Sequence, residues 1–189
     1  MQTTSSTANK STKTKIMDAA EAAIIQGGFN AFSFRDIAET IGIKSASVHY
    51  HYPTKEDLVA SVMARYTAEF TQLLVDPRDA AYAPERLLNG FIDGFKHKIV
   101  DQHNMSLCTM LTSDKRLLPA QVSQALADFY QVKLTWLAQV CQRLFQLEEA
   151  EAQVKACQIL ASLHGASILV QATGDPSKYE DAVACWRCG

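Results

Sequence analysis

No stretch of this chain approaches the roughly 18 consecutive apolar residues that a membrane-crossing helix needs, so no membrane span and no membrane partner are expected. The opening residues, MQTTSSTANKSTKTK, lack the apolar centre of a secretory signal and read as a polar, disordered tail over residues 1–10. Cysteine is sparse and odd in number: Cys108, Cys141, Cys157, Cys185 and Cys188. Without an export signal, that pattern fits free thiols in a reducing, cytoplasmic setting better than a disulfide framework. Cys185 and Cys188 form a C-x-x-C, but zinc would need two further ligands and none lies nearby. A large excess of either charge sign is also missing. The net charge of -2 argues against a protein that coats nucleic acid nonspecifically. A sequence-specific binder survives that argument, because a local patch suffices. No phosphate loop, metal-ligand spacing or nucleophile elbow is present. The expectation is therefore no enzyme, no metal and no cofactor. Few stretches look strand-like, and there is no internal repeat.

What the chain does have is a 48% hydrophobic fraction over 189 residues, enough for a substantial core. It also has one organising stretch, GFNAFSFRDIAETIGIKSASVHYHYPTKEDL, from Gly28 to Leu58. Ser33 is a good N-cap for a short helix with Ile37, Ala38 and Ile41 on one face, and Gly42 ends it. Ser45 is placed to cap a second helix carrying Ser47, Val48, His49, Tyr50 and His51. Pro53 stops that helix, and Thr54 with Asp57 forms a capping box for the next. Helix, glycine turn, helix is the plan that sets a helix into the DNA major groove.

Around that stretch the pattern is helical throughout. A first helix starts at Ser11 or Thr12, runs to about Gly27 and carries Ile16, Ala19, Ala20, Ala23 and Ile24 at helical spacing. Phe29, Phe32 and Phe34 read as the core of a small head. Helix four runs from Thr54 to about Val75, roughly 30 Å, and so leaves the head for a second unit. Pro84 opens helix five, where Gly90 and Gly94 either allow close packing or leave room beside aromatics. A short helix covers Met105 to Thr112. A long one follows from Pro119 to about Leu147, and another from Glu149 to Ala172, closed by Gly174. Asp175 is placed to cap a last helix. The expected class is all-α: a tail at 1–10, a helix-turn-helix DNA-binding domain at 11–57, and an effector-binding and dimerisation domain at 58–189.

The organising stretch resembles the DNA-binding domain of TetR/AcrR-type transcriptional regulators. Their S/T-x-R-D-I-A helix is matched by Ser33, Arg35, Asp36, Ile37 and Ala38. Ile41, Gly42 and Ile43, then Ser45, Ala46, Ser47 and Val48, continue the match to Tyr52, Thr54, Lys55, Glu56, Asp57 and Leu58. About a quarter of the chain is covered. One departure is chemical: the family's commonest phosphate-contacting tyrosine is replaced by His49, whose imidazole donates one hydrogen bond when neutral and adds charge when protonated.

The residues and the resemblance together give the expected sites. For double-stranded DNA, Ser45, Ser47, His49, Tyr50 and His51 suit the groove, while Lys44, Ser33 and Arg35 grip the backbone. The match implies a phosphate contact for Lys55. Tyr52 stands at the family's core phenylalanine. One head makes few contacts, so a homodimer on a near-palindrome is expected. The segment from Ala156 to Val170 is apolar nearly all round, and the resemblance places the dimer interface on the last two helices. Cys157, Leu160, Ala161, His164, Gly165 and Ile168 are its candidates.

Tyr66, Phe70, Phe91, Phe95, Phe129 and Trp136, with Met105, Met110, Tyr130 and the polar His97, suit a pocket for a small-molecule effector. Ordinary core is the alternative for each. Cys108 completes the pocket set. Its segment is similar to the C-x-x-x-L region of electrophile- and redox-sensing members, which use a cysteine there as sensor; a buried inert thiol is the alternative. A sensor needs a nearby cation, for which Lys98, Lys115 and Arg116 are close in sequence. The resemblance implies a repressor that an effector releases. A sensor acting through Cys108 is one alternative, and a helical ligand-binding protein with a vestigial head is another.

Overall fold

The computed structural model describes residues 10–102 and 105–188, which are helical almost throughout and contain no strand. The tail expected over 1–10 lies outside the described residues except for Lys10, whose Nζ donates to Asp18 at 2.7 Å. None of the described helices is long and apolar enough to cross a membrane.

Helix α1 spans Thr12–Gly27, with the Ser11 hydroxyl accepting the Thr14 N–H at 3.1 Å. Ile16, Ala20 and Ile24 recur on its buried face. Helix α2 (Phe34–Ile41) opens with a capping box: the Ser33 side chain accepts the Asp36 N–H, and the Asp36 carboxylate accepts the Ser33 N–H and hydroxyl at 2.7 Å. Gly42 closes α2 at φ 71°, ψ 37°, a left-handed conformation that glycine adopts without steric cost. Helix α3 spans Ser45–His51. Ser45 was expected to cap it, but Lys44 holds the cap position and no side chain bonds to the first turn. The backbone carbonyl of Lys44 accepts the Ser47 N–H at 2.8 Å. The helix thus starts one residue earlier than a serine cap would place it. Helix α4 (Lys55–Leu73) begins with the expected Thr54–Asp57 capping box and ends short of Val75.

The body follows. Helix α5 (Pro84–Lys96) continues into a wider π turn at His97–Asp101. Helix α6 (Leu107–Ser113) is capped by Ser106. Helices α7 (Ala120–Phe145), α8 (Glu149–Thr173) and α9 (Ser177–Val183) complete the chain. Gly174 ends α8 at φ 67°. Asp175 was expected to cap α9; Pro176 directly precedes that helix, and the Asp175 carboxylate accepts the Ser177 N–H at 2.9 Å from one position further back.

Two apolar cores hold the molecule. One runs from the head into the body: Phe29, Phe32, Phe34, Val48 and Tyr52 pack in the same cluster as Val62 and Met63 of α4, Leu107 and Leu111 of α6, and Phe129 of α7. The other joins α5, the second half of α7, α8 and α9, with the Tyr179 hydroxyl donating to the Ile92 carbonyl at 2.7 Å. Polar ties reinforce the joint between head and body. Arg65 of α4 bonds Asp18 at 2.6 Å and Glu21 at 2.8 Å on α1. Asp114, just past α6, accepts the Phe29 N–H at 2.6 Å. Gly28 is required there twice over: its φ is 81°, and a side-chain carbon would collide with the Asp114 carboxylate.

Candidate nucleic-acid interface and ligand cavity

Val48 is the one wholly buried residue of α3, and it anchors the helix on the head. The periodicity of a short helix then turns its other side chains outward. Tyr50 is 85% exposed, His49 and Lys44 are exposed, and Ser45, Ser47 and His51 are half-exposed. Ser33 and Arg35 stand exposed at the start of α2. His49 rests edge-on against Phe34, with ring centroids 4.8 Å apart, which fixes the ring. All eight expected DNA-contacting residues are therefore at least partly open to solvent on α2, α3 and the residues just before them.

Lys55 differs. Its ammonium donates to the Phe32 carbonyl at 2.6 Å and lies 4.8 Å and 4.4 Å from the Phe29 and Phe32 ring centroids. Burial lowers its pKa, partly countered by Asp36. Much of its bonding is thus spent on the head itself. Tyr52 is core, as expected from its position, with a buried hydroxyl that finds no partner.

In the body, a cavity of about 630 Å³ opens between α4, α5 and α7. Tyr66, Phe70, Phe91, Phe95, Phe129 and Trp136 all line it. Phe91 stacks on Trp136 with centroids 5.2 Å apart at 19°, and the indole N–H donates to the Val75 carbonyl at 2.7 Å. Gly90 and Gly94 face the cavity, and a side-chain carbon on either would meet no atom within 4 Å. Of the two roles open to these glycines, the structure selects leaving room.

Cys108, His97, Met105, Met110 and Tyr130 do not line the cavity. His97 turns outward to Asp101 at 3.0 Å. Cys108 is fully buried behind the wall, its Sγ 3.1 Å from the Ser106 hydroxyl. The cation beside it is Lys133 of α7, with Nζ 3.5 Å from Sγ. None of the three cations near in sequence fills that role. Lys98 donates to the Tyr66 hydroxyl at 3.1 Å, Lys115 reaches the Ser123 carbonyl, and Arg116 is exposed.

Lys133 is the candidate site residue that the sequence did not single out. It is only 3% exposed, among the rings of Phe70, Phe95, Phe129 and Tyr130 at 4.5 to 5.7 Å. The available signal was its register: Phe129, Lys133 and Trp136 fall on one helical face. Burial drives its pKa down, with Cys108 acting in the other direction. Burial raises the pKa of both Tyr66 and Tyr130, with the neighbouring Cys108 acting in the same direction. His164 of α8 also faces this group. Its Nδ1 lies 3.2 Å from the Thr109 hydroxyl, and burial followed by Lys133 lowers its pKa to about 4.

On α8, Cys157, Ala161, Gly165 and Ile168 are exposed, the last by 54%, beside Val154 and Leu169. Leu160 and His164 were expected on this face and are turned into the body instead: Leu160 is 4% exposed in the second core, and His164 packs on Phe95 and Tyr130. Among the described residues, no grouping of His, Cys, Asp or Glu forms a metal site.

An all-α protein with a helix-turn-helix head and a cavity-bearing helical body is the class these features define. Residues 16–62 match the family described as bacterial regulatory proteins, tetR family. A TetR transcriptional regulator from Legionella pneumophila has the same fold, with TM-score 0.84 and 31% identity, covering 93% of this chain and 95% of that one. A TetR-family regulator from Agrobacterium tumefaciens gives TM-score 0.82 and 27% identity over 92% of this chain and 94% of that one. The biofilm operon icaADBC HTH-type negative transcriptional regulator IcaR of Staphylococcus epidermidis is 27% identical over 116 residues. That match spans 61% of this chain and 62% of IcaR's length. The chain belongs to the TetR family of transcriptional regulators.

Proposed function

We propose that the protein is a homodimeric, sequence-specific DNA-binding repressor, released from a near-palindromic operator by a small molecule bound in the body. The observation that carries this reading is the open side of α2 and α3, where polar and basic side chains stand out from a head whose apolar groups are turned inward. Such a face fits base edges and phosphates together. The apolar strip of Val154, Ile168 and Leu169 on α8, with Ala161 and Gly165 permitting close approach, supports a second copy there. IcaR's description as a negative regulator favours repression over activation.

Release follows from shared parts. Helix α4 lines the cavity with Tyr66, Glu69, Phe70 and Leu73, and its first residue, Lys55, holds the Phe32 carbonyl of the head. A ligand that prefers a shifted α4 thereby lowers the fraction of dimers whose heads fit successive grooves. The test is selection of duplexes from a random library. A near-palindromic consensus whose affinity falls steeply with salt is expected. No enrichment at low salt from ligand-free protein would mean a vestigial head.

A second reading, a thiol sensor acting through Cys108, is favoured by one contact, the Lys133 ammonium at 3.5 Å. Full burial of the thiol opposes it. Oxidant-induced loss of DNA binding that persists in Cys108→Ser would remove it.

A further inference from the structure

The cavity's charges do not balance. Its acids, Glu21 and Glu69, are both paired to Arg65, at 2.8 Å and 3.8 Å. Its cations are Arg86, Lys98 and Lys133, and among the described residues none of them has an acid within ion-pair distance. Lys98 bonds a tyrosine hydroxyl and Lys133 a sulfur. Arg86 is exposed and stays hydrated, but Lys133 is buried. Aromatic faces attract its charge without offering its N–H groups an oxygen acceptor. A buried ammonium without a counter-ion is strongly disfavoured, and an arriving anion removes that cost.

Apart from Ser106 and the Tyr66 hydroxyl, the rest of the wall is apolar. The space beside Gly90 and Gly94 runs along α5 from Arg86 toward Lys98, flanked by the stacked Phe91 and Trp136. An occupant that satisfies both halves has one anionic end and an unbranched or aryl apolar body. We propose that the cavity binds a hydrophobic monocarboxylic acid, its carboxylate on Lys133 with Lys98 alongside, and its body over the glycine face of α5. This rests on the reading of the cavity as the effector site. It does not rest on DNA binding.

The test uses the full chain and direct calorimetric titration, without DNA. The probes are decanoate, decanol and decylammonium, with phenylbutanoate and its amide as an aryl pair. Each carboxylate should bind about tenfold or more tightly than its neutral partner, as expected for a charge-assisted contact, and decylammonium most weakly. Lys133→Met keeps the side chain's bulk and should erase the preference. Lys98→Gln should reduce it. Gly90→Leu should fill the cavity and abolish binding of every probe. Equal or tighter binding of the alcohol or amide overturns the proposal. So does a preference that survives in Lys133→Met, or failure of either carboxylate to bind. Carboxylate binding by a protein that enriches no duplex would sink the repressor reading and leave this one standing.

Discussion

His164 is held where a positive charge is costly. Burial and the nearby Lys133 bring its pKa from 6.5 to about 4, while Thr109, Phe95 and Tyr130 surround it and its Nε2 has no partner. In the unfolded chain the imidazole takes up a proton near its ordinary value; in the folded chain it resists until about pH 4. The unfolded state therefore binds more protons between those values, and stability falls as pH falls through that window. It is fully retained above it. The loss from this group amounts to about 3 kcal/mol at most. Urea midpoints measured at neutral pH and near pH 4 should differ less in His164→Gln than in the parent. Equal differences would clear His164 as a cause. Lys55 carries a second lesson at this scale. The motif marks it as a phosphate contact, yet its nearest oxygen is the Phe32 carbonyl of its own head. A spacing pattern names a residue type at a position, while the neighbours decide what the side chain touches.

Among the elements, helix boundaries follow local chemistry closely. The boxes Ser33–Asp36 and Thr54–Asp57 form as their spacing requires, and glycine closes α2 and α8 in left-handed geometry. Gly42 isolates that effect, because a side-chain carbon there meets nothing within 4 Å. Gly42→Ala should therefore cost only backbone strain, about 1–2 kcal/mol, and Gly42→Asn less. Urea denaturation of both variants checks the order; an alanine variant as stable as the parent would mean that α2 can end otherwise. Where local chemistry was weak, the reading slipped. Helix α3 has no side-chain cap bond, so no local contact marks its first residue. On α8, apolar residues all round gave no phase, so Leu160 and His164 could not be separated from Ala161 and Ile168 until the helix was docked.

At the scale of the molecule, the joint between head and body is the part on which the proposed control depends. Asp114 reaches from the end of α6 to the Phe29 N–H, outside the cavity. Asp114→Ala should leave decanoate affinity unchanged while weakening the effect of bound ligand on DNA affinity. Paired titrations with and without operator DNA measure this, and an undiminished coupling would place the relay in α4 alone. The α8 strip gives a second expectation. Ile168→Glu puts a charge where a second copy is proposed to pack, and should raise the dimer dissociation constant by about a hundredfold or more. Sedimentation velocity reads it directly; an unaltered dimer would move the interface elsewhere.

The sequence by itself determined the helices, the two capping boxes, the glycine stops and the helix-turn-helix. Each depends on residues near in the chain or on a periodicity that one helix can display. Tertiary structure alone decided which aromatics enclose space, which side of α8 is free, and which cation meets Cys108. Lys133 and Cys108 are 25 positions apart and lie on different helices. Its register with Phe129 and Trp136 puts this lysine on an apolar face of α7, but nothing local shows whether a carboxylate waits there. Only the packing of α7 against α6 and α4 removes its water, surrounds it with rings and leaves its charge without a carboxylate. Burial of that kind is a property of the assembled molecule, because solvent is excluded by several helices acting together.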